Sequence, residues 1–141
     1  MDTSERARAT SPLDADAIMA PDLRESEALL VDAYLRHYAG DELLFWAFSE
    51  VNKITFSDAE RGWNITLALI AAAPDYRTLG YVAAGPLEEV LEVHGERLVD
   101  RVENLVHRDE KFRRALLLVA CFEDSMTEAI RTRVNTALGR I

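Results

Sequence analysis

Ala83-Ala84-Gly85-Pro86-Leu87-Glu88-Glu89-Val90-Leu91-Glu92-Val93-His94-Gly95 is the stretch on which the fold turns. Gly85 suits an N-cap, and Pro86 suits the first helical position, where a missing N–H costs nothing. Glu88 and Glu89 then fall in the positively polarised first turn. Leu87, Val90, Leu91 and His94 share one face, and His94 sits where a cation complements the helix C-terminus. Gly95 is the exit. The spacing predicts a short helix with defined ends, set between longer helical patterns on both sides.

Before it, Leu30, Tyr34 and Tyr38 recur at helical spacing, and Gly40 is a stop. Asp22 with Glu25 has capping-box spacing. Asp41 opens a helix to about Lys53, whose set Leu43, Leu44, Phe45, Trp46, Phe48 and Val51 predicts burial nearly all round. Ser57 with Glu60 opens a helix carrying Trp63, which ends before Pro74. Asp75 caps a short helix to about Ala83.

After the central stretch, Glu96 to His107 forms a helix with Leu98, Val99 and Val102 inside. Asp109 caps another, carrying Phe112 and Leu116. Ser125 with Glu128 opens the last, which buries Ile130, Val134 and Leu138. No segment alternates apolar and polar residues as a strand does. The expected fold is all-α, a single domain of about seven or eight short helices over residues 22–141, preceded by a flexible tail at 1–21. The starts Asp58 to Trp63 and Asp109 to Phe112 are alike, which admits HEAT-like stacked hairpins. An irregular bundle is the alternative.

From about Asp41 to Ala120 the chain resembles a bacterial family of small all-helical proteins with a domain of unknown function. The resemblance rests on Trp46-Ala47, Asp58-Ala59-Glu60 leading to Trp63, the block from Ala83 to Leu91 with His94-Gly95, and Asp109 leading to Phe112-Arg113 and Ala115-Leu116. It implies an all-α fold and no particular activity.

Composition narrows the function classes. Of 141 residues, 49% are hydrophobic, enough for a core, and the net charge is −9. That balance disfavours nucleic acid and anionic membranes, and favours a basic protein partner. No run is long enough to span a bilayer, and the first 21 residues lack a signal-type apolar segment, so a cytoplasmic protein is expected. The lone Cys121, in an apolar run, reads as a buried small hydrophobe and allows no internal disulfide.

Chemistry-bearing motifs are scarce. There is no phosphate loop, nucleophile elbow or zinc pattern, so no cofactor and no metal is expected. Glu103 and His107 have ligand spacing, but no Glu-x-x-His accompanies them. His94 with Glu88 gives an alternative reading, a small enzyme or ligand-binding protein whose site forms around these two and a Trp. The leading reading is a non-enzymatic protein-binding module of immunity or antitoxin type. Its acidic face comprises Glu88, Glu89, Glu92, Glu96, Asp100 and Glu103, with Arg97 and Arg101 beside it as partial neutralisers. Trp46 and Trp63 read as core residues.

Overall fold

The structure, a computed structural model, describes residues 23–119 and 126–139, with side chains from residue 26. The expected tail, the Asp22–Glu25 capping box, Ser125 and Cys121 lie outside what is described. Among the described residues there are helices and turns and no strand. They comprise α1 (Leu23–Tyr38), α2 (Phe45–Ser57), α3 (Ala59–Ala72), α4 (Tyr76–Val82), α5 (Glu88–Val106), α6 (Glu110–Leu117) and α7 (Glu128–Ala137). A five-residue π-helical turn, Ala83–Leu87, joins α4 to α5 without a gap. Counted as one rod, Tyr76 to Val106 leaves six helices among the described residues, against the seven or eight expected over residues 22–141.

The caps explain most boundaries. Asp58, Asp75 and Asp109 adopt extended backbone and accept the amides of Arg61, Thr78 and Phe112. An aspartate in that geometry satisfies an N–H that the first helical turn leaves unpaired. Gly40 stands at φ +124°, which a residue with a Cβ rarely adopts, and the chain turns there into a 3₁₀ turn (Glu42–Leu44) capped by Asp41. Two expected boxes are displaced. Ser57 ends α2 and donates to the Lys53 carbonyl, so Asp58 is the cap of α3. At α7 the cap is Thr127, whose hydroxyl accepts from the Ile130 amide.

The central stretch departs most from expectation. Gly85 is not an N-cap, and Pro86 does not open a helix; both lie inside the rod. A proline in a helix interior removes a hydrogen bond to the residue four before it. The π turn absorbs that loss, with the Glu88 amide donating to Ala83, five residues back. The break expected at Gly95 falls instead on His94, at φ −122° and ψ 20°. Gly95 remains helical and buried, and a Cβ there would meet Ile130 Cγ2 at 3.3 Å. Its smallness lets α7 close onto α5.

The helices form an irregular bundle rather than stacked hairpins. In a solenoid each repeat touches only its neighbours, whereas α3 packs on α1, α2, α4, α5 and α6. The two look-alike starts meet face to edge: Trp63 and Phe112 have ring centroids 5.7 Å apart at 69°. Trp63 belongs to the core as expected, and Trp46 packs half-buried against it. The second helix is buried on one side only. Ala47, Val51, Ile54 and Thr55 face inward, while Leu43 and Phe45 stand exposed beside the turn.

One core position departs from good packing chemistry. Thr66 is fully buried, and its hydroxyl has no hydrogen-bond partner among the described residues. Burying an unpaired hydroxyl is unfavourable, so Thr66→Val is expected to stabilise the fold by about 1 kcal/mol, a rise of roughly 3 °C in Tm. A thermal melt that falls by a similar amount would show that the hydroxyl is satisfied.

Candidate functional site

The rod from Tyr76 to Val106 carries all six acidic candidates, and the two irregularities in it decide how they are presented. Glu88 and Glu92 are four residues apart on the helix before the kink, the spacing of a helical stripe, and Glu96 follows just beyond the kink. Glu88 and Glu89 begin directly after the π turn, and the kink at His94 lies between Glu92 and Glu96. Glu92 and Glu96 are exposed; Glu88 and Glu89 are half-buried.

Two depressions flank the stripe. One, of about 220 Å³, is lined by Asn52, Ala84, Gly85, Glu88, Glu89 and Glu92. The other, of about 360 Å³, runs past the kink and includes Glu92, His94, Glu96, Arg97 and Thr127. Glu92 borders both. His94 and Glu88 therefore line separate depressions, and neither depression includes a Trp.

The side of the stripe nearest α2 is fixed by hydrogen bonds. Thr55, fully buried, has its hydroxyl 2.5 Å from Glu89 Oε1. His94 Nε2 lies 3.0 Å from the Thr55 carbonyl oxygen. A carbonyl only accepts, so Nε2 carries the proton and donates. This bond ties the kink to α2 and commits one ring nitrogen. A second histidine, His37, likewise donates from Nδ1 to a carbonyl, that of Asp41, and packs against Phe45 and Phe48.

Charge pairing divides the six acids. Arg133 of α7 grips Glu103 through two nitrogens, at 2.9 and 2.6 Å, and reaches Asp100 at 2.6 Å. The Arg133 hydrogen bond and its charge hold the Glu103 carboxyl below the usual carboxylate range. Arg97 and Arg101, expected beside the face, turn to Glu60 of α3 instead, and Arg101 meets it through two bonds of 3.0 and 2.7 Å. Glu88, Glu89, Glu92 and Glu96 have no ion pair among the described residues. Sequence spacing showed the acids but not Arg133, which is 30 residues from Glu103 and marked by no motif. Asn52 and Thr55 were missed for the same reason, since only the packing of α2 on α5 brings them to the rod.

The depressed Glu103 pKa sets the sign of a pH effect. A carboxyl lowered in the folded state stabilises the fold at neutral pH, and the contribution fades as pH falls through that lowered value. The Arg133 clamp should therefore be intact at neutral pH and open under acid. Carboxyl chemical shifts followed by NMR are expected to show Glu103 titrating below the usual carboxylate range, and a midpoint above that range would contradict the clamp.

The described residues hold no group of three His, Cys, Asp or Glu placed to bind a metal ion. Glu103, one of the pair with ligand spacing, is engaged with Arg133, while His107 is exposed. No described helix is long and apolar enough to cross a membrane. No curated protein and no solved structure matches the sequence. Residues 36–140 do match a family, and they include the whole rod, both depressions and Arg133; the chain belongs to this family of unknown function, DUF6869.

Proposed function

We propose that this protein is a non-enzymatic binding module that docks a basic partner protein along Glu88, Glu89, Glu92 and Glu96. One observation carries the reading. On a single rod, Asp100 and Glu103 are matched by an arginine, whereas the four carboxylates before them have none. Unmatched like charges in a row repel one another, and a basic partner relieves that repulsion while gaining a faster, steered encounter. The buried backing of the stripe, Val90 and Leu91, gives it a rigid mount. An immunity or antitoxin-like protein masking a basic toxin is the specific form proposed, and the cytoplasm is its proposed setting.

The alternative, an enzyme or ligand-binding protein centred on His94 and Glu88, draws less support. These two line different depressions, and His94 has one nitrogen committed to Thr55. General acid–base work needs its groups within reach of one reacting atom.

Co-purification from the native host at low salt tests the proposal, with wild type beside Glu88→Gln/Glu92→Gln/Glu96→Gln. A saturable basic partner should accompany the wild type and be absent from the variant. Equal recovery by both proteins, or no saturable partner with either, contradicts it.

A further inference from the structure

We propose that the outer face of α2 and the acids of α5 form one composite docking surface, and that its occupant is an amphipathic helix with a basic flank. The proposal rests on the docking reading above and names the class of partner. What carries it is apolar and separate from the acids. Phe45, Ser49, Asn52 and Phe56 recur at helical spacing, so they line one side of α2. That side lies away from the buried Ala47, Val51 and Ile54, and its two phenylalanines are 55% and 61% exposed. Leu43, two residues before Phe45, is 89% exposed. A lone exposed apolar residue is ordinary, whereas large ones spaced along one outward helix face mark a surface for a protein.

The acids say what kind of protein. Asn52 borders the depression that Glu88, Glu89 and Glu92 line, and one turn on, the Thr55 carbonyl meets His94. The apolar face and the acids therefore run side by side. Lys53, two residues from Thr55 and so on the opposite edge, pairs with Glu50. A partner must carry apolar and basic residues on adjoining edges. A strand sends neighbouring side chains to opposite faces, whereas a helix sets an apolar stripe next to a charged one. Phe45 and Phe56 stand about 16 Å apart along α2, three helical turns, which a partner helix laid alongside can span. The Phe45 end is held in place beforehand: His37 meets the ring edge-on at 5.6 Å and is itself tied to the Asp41 carbonyl. A ring held so loses little freedom on binding.

The test is fluorescence titration at low ionic strength with three labelled peptides. Two contain equal numbers of leucines and lysines, one arranged at helical spacing and the other strictly alternating; the third is octa-arginine. Wild type is expected to bind the helical-spacing peptide about tenfold more tightly than the alternating one. Phe45→Ser/Phe56→Ser should weaken the helical-spacing peptide about tenfold and leave octa-arginine unchanged. Phe56→Ser alone, at the more exposed ring, should weaken it about threefold, and reads the same contact even if the double variant fails to fold. Equal binding of the two isomers, unchanged affinity in the serine variants, or an equal loss with octa-arginine overturns the inference, while saturable octa-arginine binding by wild type keeps the docking reading. Octa-arginine that does not saturate wild type overturns both. Sedimentation of the protein alone is expected to show a monomer; a dimer that Phe45→Ser/Phe56→Ser dissolves would give this face to a second copy and overturn the proposal.

Discussion

Phe112→Ala is expected to lower stability by about 3–5 kcal/mol, the range for removing a fully buried phenylalanine. Phe112 is 0% exposed, and its ring stands edge-on to Trp63, itself 5% exposed. The substitution removes both the transfer contribution of the ring and the aromatic contact, which adds about 0.5–1.5 kcal/mol in such pairs. Leu69, Leu98 and Leu116 are fully buried in the same core, and a close-packed interior gives the resulting void little means of closing. Domains of this size have about 5–15 kcal/mol in total, so the variant should unfold at a much lower denaturant midpoint. A loss below about 1 kcal/mol would mean that α3 and α6 do not meet through these rings.

Gly62→Leu should be nearly as damaging, for the opposite reason. A Cβ at Gly62 would stand 3.0 Å from Thr55 Cα, 3.4 Å from the Ile54 carbonyl oxygen and 3.2 Å from Val90 Cγ1. Two of these are backbone atoms of α2, which cannot turn aside as a side-chain tip can. Forcing a larger residue into a closed contact costs about 1–3 kcal/mol, and the gain in helix propensity over glycine, about 1 kcal/mol, offsets only part of it. We expect a net loss of about 2 kcal/mol for leucine, and a smaller loss for alanine. The substitution also presses on Thr55, which holds Glu89 and His94. Binding of basic peptide should weaken along with stability. Wild-type stability in Gly62→Leu would place α2 further from α3 than described.

The sequence pattern carried the all-helical class because the apolar spacing and the aspartate caps are local signals. Asp75 and Asp109 were legible as caps from position alone. Pro86 misled for a physical reason: its chemistry is the same at a helix start and inside a π turn, and only the continuity of α4 through Ala83 distinguishes them. His94 and Gly95 were nearly right, since a break occurs there, but Gly95 serves close packing rather than an exit. Burial of α2 was overstated because an apolar circumference does not say which side has a neighbour. The acids Glu88, Glu89 and Glu92 were legible as a group. The distinction between matched and unmatched acids was not, because it depends on where Arg97, Arg101 and Arg133 point in space.

The central claim is that a defined stripe, and not the net charge of −9, attracts the partner. Peptide titrations with two variants of equal charge separate the two. Glu88→Gln/Glu92→Gln/Glu96→Gln removes the stripe, and Glu42→Gln/Glu110→Gln/Glu128→Gln removes three exposed carboxylates elsewhere. The account predicts that the first variant binds octa-arginine about tenfold more weakly than wild type, and that the second stays close to wild type at the same salt. Equal weakening in both variants would contradict it.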